Sequence, residues 1–146
     1  MLDSMTLLYV DGNDISEFEW GDIPPLTETV NLGDNNLVRI PLVGSHDACL
    51  RVRELGLHYN KLTSIEWGQI PQSVVRLYLN NNQIRRLGDL SHLTELRYID
   101  LQYNRVSSVR ADHLPVGLQS MDLSSNNINC KSVRNKLTTV RVWCYS

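Results

Sequence analysis

Asp100 and Asp122 are two carboxylates 22 residues apart (122 − 100). Brought face to face, such a pair could share a cation or a proton, or divide acid and base roles. No flanking nucleophile, glycine-rich phosphate loop or third ligand accompanies them in the sequence. The histidines His46, His58, His92 and His113 show no i,i+4 pairing and no Cys-x-x-Cys partner, so they read as surface or structural residues. The three cysteines, Cys49, Cys130 and Cys144, are an odd count. They read as reduced, mostly buried thiols; the sharper alternative is a Cys130–Cys144 bridge that closes the C-terminal end. No catalysis, metal or cofactor is expected from this set.

The elements that position these groups must come from 146 residues, which suggests a single domain over 1–146. A hydrophobic content of 42% supports a packed core. The net charge of −2 lacks the basic excess of a nucleic-acid binder, although Arg76, Arg85, Arg86 and Arg97 could form a local basic spot. The start, MLDSMTLLYVDGN, has no basic region and only a short apolar run, so it is not a secretory signal. No stretch approaches the ~20 apolar residues of a membrane span. Neither nucleic acid nor membrane is an expected partner, and an intracellular, cytoplasmic location is expected.

The chain repeats itself. Glu19–Pro24 reads EWGDIP and Glu66–Pro71 reads EWGQIP, with the two tryptophans 47 residues apart (67 − 20). Asparagines following an apolar-x-apolar pair recur at Asn13, Asn35, Asn60, Asn82, Asn104 and Asn126, with spacings of 22, 25, 22, 22 and 22. The frame is L-x-x-L-x-L-x-x-N-x-L, with Ile, Val or Met allowed at the apolar slots. Residues 129–146 form a degenerate capping unit, with Leu137, Val140 and Val142 in frame and Tyr145 where the asparagine should stand. The EWG-x-I-P phrase is thus two copies of the outer half of one unit.

This frame resembles the leucine-rich-repeat family over nearly the whole chain. The Ile23-Pro24, Ile70-Pro71 and Leu114-Pro115 steps, with the Trp-Gly phrase, also resemble a short 22-residue repeat type of kinetoplastid proteins. Spacing and resemblance together imply an α/β-type repeat solenoid. It is a curved right-handed coil with a parallel concave sheet of about seven strands. Its convex side carries mostly irregular or short extended segments and little helix. The resemblance also implies a non-catalytic protein-interaction module.

Each L-x-L has period two and reads as a short strand, parallel to its neighbour at ~4.8 Å. The pairs Leu8/Val10, Val30/Leu32, Leu55/Leu57, Leu77/Leu79, Ile99/Leu101 and Met121/Leu123 should stack inward, since one unit cannot bury its apolar face alone. The six repeat asparagines should turn the chain away from each strand as a buried ladder with a structural role. Outer segments such as LTSIEWGQIPQ carry Pro and β-branched residues and should be extended or turned. Trp20 and Trp67 should pack on the convex side. The three extra residues of the longer unit should bulge within IPLVGSHDACLRV.

The x positions around L-x-L then line an exposed concave face. Its middle gathers Glu54, Arg76, Tyr78, Tyr98 and Asp100, with Asp122 one unit beyond and His58, Tyr59 and Tyr103 on the adjoining rim. Tyrosine and arginine are enriched where proteins bind one another, and tyrosine offers a large apolar body with a hydroxyl. A protein partner on this face is the expected function. Arg141, placed in the Asp100/Asp122 column, should neutralise those carboxylates. Alternatives are a structural subunit built into a large complex and an extracellular recognition module.

The ends differ. Met5, Leu8 and Val10 leave the first edge open, to be covered by Met1–Asp3 folding over or by another subunit. At the other end SVRNKL suggests a helical turn with Ser132 as its N-cap.

Overall fold

A computed structural model of the chain describes residues 4–44, 51–66 and 68–145. Trp67, Cys49, His46, the proposed Met1–Asp3 cap and the core of the proposed bulge lie outside the described residues. Among the described residues there are nine strands, in chain order: β1 (Leu7–Tyr9), β2 (Thr29–Asn31), β3 (Glu54–Gly56), β4 (Ser64–Ile65), β5 (Arg76–Tyr78), β6 (Arg86–Leu87), β7 (Tyr98–Asp100), β8 (Ser120–Asp122) and β9 (Arg141–Trp143).

Seven of these form one parallel sheet in the order β1-β2-β3-β5-β7-β8-β9, one strand per turn of a solenoid. The register repeats from unit to unit, as in Leu55↔Leu77 and Leu77↔Ile99. β2 and β3 keep it (Val30↔Leu55) across the 25-residue spacing, so the extra length is absorbed outside the strands. The inward pairs from Val30 to Leu123 are almost fully buried, while Leu8 and Val10 at the first turn are only half-buried. A core residue here needs neighbours on both sides, and among the described residues β1 has a neighbouring strand on one side only.

The outer segments follow from their residues. Leu37/Ile40, Leu62/Ile65 and Val106/Val109 form a second buried layer. The chain there is turned or extended, with 3-10 turns at Trp20–Asp22 and Ala111–His113 and a two-stranded β4–β6 sheet. Trp20 is 1% exposed; its indole N–H donates to the Pro41 carbonyl at 2.9 Å and Phe18 meets its ring edge-on. No helix among the described residues is long and apolar enough to cross a membrane.

The asparagines do more than turn the chain. Asn82 donates its amide to Leu57 O (3.0 Å) in the preceding unit and to Leu79 O (3.1 Å) in its own, and accepts from Leu62 N (3.0 Å) of the preceding unit. Asn35, Asn60, Asn104 and Asn126 repeat this scheme, so each one clamps its turn to the one before. The ladder is therefore not buried throughout. Asn13, with no described turn before it, is exposed and among the described residues bonds only to Val10 O and Asp11 O, and Asn126 is half-buried.

The C-terminal unit departs from the sequence reading in three ways. First, β9 pairs Ser120↔Arg141, Met121↔Val142 and Asp122↔Trp143, a slip of two residues from the expected register. An even slip leaves the in/out alternation intact, so Val142 and Cys144 take the inward slots. Second, Cys130 and Cys144 are bridged, with Cα atoms 5.5 Å apart, and are not free thiols. Third, the helix α1 (Cys130–Lys136) is capped by Asn129, whose side chain accepts from Ser132 N at 3.0 Å; Ser132 lies inside the helix. Arg134 adds a bond to Cys144 O at 2.8 Å and holds the last strand to this helix.

Candidate interaction face

The side chains of the main sheet that point away from the core form two rows. One runs Leu7, Thr29, Glu54, Arg76, Tyr98, Ser120, Arg141 and the other Tyr9, Asn31, Gly56, Tyr78, Asp100, Asp122, Trp143. Glu54, Arg76, Tyr78, Tyr98, Asp100 and Asp122 are brought together in the middle and C-terminal part of these rows.

Arg76 reaches Glu54 with Nη1–Oε1 at 3.3 Å, and both side chains remain well exposed. Such a pair contributes little stability, ~0–1 kcal/mol, but it neutralises the centre of the face. The rings of Tyr78 and Tyr98, diagonal neighbours, lie 5.7 Å apart at 59°. Asp100 is 8% exposed. Its Oδ1 accepts from Gln102 N (3.0 Å) and Gln102 Nε2 (3.2 Å), a local turn bond that Asp122 repeats to Ser124 N (3.0 Å). Burial pushes the Asp100 carboxyl above the usual aspartate range, helped by Asp122, while the Gln102 bonds pull the other way. Burial and the two nearby carboxylates push the Tyr98 hydroxyl up to about 12, so it stays a protonated donor.

Arg141 does not neutralise the aspartates. The two-residue slip puts it beside Ser120, over the Trp143 ring at 5.9 Å, and Trp143 takes the place next to Asp122. No salt bridge to either aspartate forms among the described residues. The expected register aligns Trp143 with Ser124; the observed one seats it next to Asp122. It joins Arg76, Tyr78, Arg97, Tyr98 and Ser120 around a hollow of about 570 Å³.

His58 is half-buried and lies over two glycines: an added Cβ on Gly33 would come within hard overlap of its ring, and one on Gly56 would sit 3.2 Å from its Cε1. Tyr59 and Tyr103 stand off the strands at 55% and 57% exposure. Both have left-handed backbones (φ 52° and 54°), as do Asp34, Asn81 and Ser125 at the equivalent position before each asparagine. The sharp turn demands this conformation, which suits Gly, Asn or Asp and costs a tyrosine ~1–2 kcal/mol.

Residues 50–106 match the family model described as leucine rich repeat. Among solved structures the chain is similar to a leucine-rich-repeat protein of Leptospira interrogans, with TM-score 0.77 and 22% identity over 96% of this chain and 37% of that one. It is also similar to the functional domain of InlJ from Listeria monocytogenes, which includes a cysteine ladder, with TM-score 0.71 and 14% identity over 98% of this chain and 30% of that one. The chain thus spans about a third of the length of these proteins. The sequence match to the family covers residues 50–106, and the likeness to these solved structures, over nearly the whole chain, is one of fold.

Proposed function

We propose that this leucine-rich-repeat solenoid is a non-catalytic recognition module that holds a protein partner on the concave face of its sheet. The observation that carries this reading is the cluster of Tyr78, Tyr98 and Trp143 around two carboxylates that have no cationic partner among the described residues. Aromatic side chains supply contact area at small entropic cost, and Asp122, the more open of the two carboxylates, would meet a basic side chain of the partner. Tyr59 and Tyr103 extend the surface along one rim. The test is a paired pull-down with mass spectrometry from source cells. The baits are the native chain and a folded Arg76→Glu, Tyr78→Ala, Tyr98→Ala, Asp100→Asn variant. A protein recovered only by the native chain supports the reading. An identical set of proteins on both baits overturns it and favours a built-in structural subunit held by its ends or outer side.

The Cys130–Cys144 bridge favours one refinement. Disulfides persist in oxidising compartments, so it supports an extracellular recognition role in place of the cytoplasmic one expected from an odd cysteine count. Protein isolated from its source under thiol-trapping conditions tests this: a blocked thiol at Cys144 restores the intracellular reading. The spacing and the Ile-Pro and Trp-Gly phrases support, by resemblance alone, the short-repeat type of kinetoplastid proteins.

A further inference from the structure

The N-terminal half of the concave face carries a second hollow, of about 330 Å³, lined by Tyr9, Asn31, Glu54, Gly56, His58, Tyr78 and Asn80 among others. Its origin lies in one row, Tyr9–Asn31–Gly56–Tyr78, where two large rings flank two small residues. The strand spacing puts the two tyrosines ~14 Å apart along the row, with no bulky side chain of that row between them. Gly56 keeps the floor low, because a Cβ there would press on Asn31 Oδ1 at 3.1 Å and on His58. His58 is seated by Gly33 and Gly56 and forms a flat polar wall.

The polar groups of this hollow are under-used. Among the described residues, Asn31 spends its Oδ1 on Gly33 N and leaves its amide N–H groups unbonded. Asn80 donates to Asn81 and leaves its Oδ1 unbonded. Glu54 uses Oε1 on Arg76 and keeps Oε2 free. The hollow therefore offers donors and acceptors together, between two tyrosine side chains. Its carboxylate, Glu54, is paired with Arg76 just outside the hollow, which weakens the pull on a cation.

We propose that this hollow binds one neutral pyranose ring, as a free sugar or as the end unit of a glycan. A pyranose has hydroxyls that both donate and accept, which match the Asn31 amide, Asn80 Oδ1, Glu54 Oε2 and the His58 ring. It also has an apolar C–H face that lies on the exposed ring of Tyr9. The volume is at the small end for ligand pockets and suits one ring. The site is distinct from the Tyr98/Asp100/Trp143 cluster, with Tyr78 shared between them.

The test is a titration of isotope-labelled chain, followed by amide NMR, with the neutral methyl pyranosides of glucose, galactose, mannose and N-acetylglucosamine. Glycerol controls for non-specific hydroxyl effects. The expected result is saturable, millimolar binding of at least one glycoside. It should shift the Gly56 amide and the Asn31 and Asn80 side-chain amides and leave Asp122 unmoved. Tyr9→Ala, at an exposed ring whose loss does not disturb the core, should weaken that binding about tenfold, and Tyr9→Phe should retain it. A glycoprotein treated with the matching exoglycosidase then separates a glycan end from a free sugar. No saturable shift with any glycoside, shifts centred elsewhere, or unchanged binding by Tyr9→Ala would each overturn the proposal. None of these outcomes bears on partner capture by the Tyr98 cluster, which Tyr9 does not touch.

Discussion

Asp100 and Asp122 face each other directly across β7 and β8, two carboxylates in register with Tyr78 on one side and Trp143 on the other. Each bonds the N–H two residues on, which gives both a structural task at the strand end. That task needs only one neutral acceptor oxygen, so the negative charges are surplus to it. This surplus charge beside aromatic rings is the feature of the face that packing does not account for.

The first prediction concerns pH. The folded Asp100 has its pKa raised above the reference value of 3.8, chiefly by burial. The folded chain therefore holds that proton more tightly than the unfolded chain. Stability falls as pH rises from 3.8 through the raised folded value, and the cost of the ionised group is fully present above it. Asp100→Asn keeps an acceptor for Gln102 N and removes the charge. Thermal melts should show the variant more stable than the native chain at pH 7, with the difference shrinking as pH falls through the raised folded value and lost below 3.8. A constant difference across pH would mean that burial and Asp122 do not act on this carboxyl.

The asparagine clamps should be unequal. Asn82→Ala strands Leu57 O, Leu79 O and Leu62 N in the interior and should cost about 1–3 kcal/mol in denaturant unfolding. Asn13→Ala frees only Val10 O and Asp11 O at an exposed turn and should fall within about 0.5 kcal/mol of the native chain.

The bridge closes a 14-residue separation between α1 and β9. Cys130→Ala with Cys144→Ala should lower stability by about 3 kcal/mol. Hydrogen exchange should locate the loss first in β9, which would release Arg141 and Trp143 from the face. Uniform loss of protection across all turns would show that the last unit is not a separate cap.

The rim tyrosines should trade stability against binding. Tyr103→Gly relieves a left-handed tyrosine and offsets most of the entropy that glycine adds to the unfolded chain. Its unfolding free energy should match or exceed that of the native chain by up to about 1 kcal/mol, while partner capture falls. A clear destabilisation would show that the Tyr103 ring packs and is not held out for a partner.

The solenoid was legible because the unit period fixes everything that repeats. The spacing of Asn60, Asn82, Asn104 and Asn126 puts Glu54, Arg76 and Tyr98 in one row and Tyr78, Asp100 and Asp122 in the next without any knowledge of side-chain geometry. What failed is where the period ends. Val140 and Val142 both satisfy an alternating pattern, so the frame could not tell the expected register from one slipped by two residues. The slip moved Trp143 from beside Ser124 to beside Asp122 and sent Arg141 away from the aspartates. The Cys130–Cys144 pair was open for the same reason, since α1 sets that distance and lies outside the repeat. The left-handed backbone at Tyr59 and Tyr103 was hidden because side-chain type there contradicts the conformation. Only the glycine, aspartate, asparagine and serine at the equivalent places hinted at it.

The most direct test of the account is site-specific photocrosslinking in source cells. One probe replaces Ser120, on the concave face between Tyr98 and Arg141, and the other replaces Leu42, an exposed residue of the outer segments. The account predicts a discrete crosslinked protein from the Ser120 probe, lost when Tyr98→Ala is added, and none from Leu42. A discrete partner from Leu42 with none from Ser120 would contradict it and move the working surface to the outside of the solenoid.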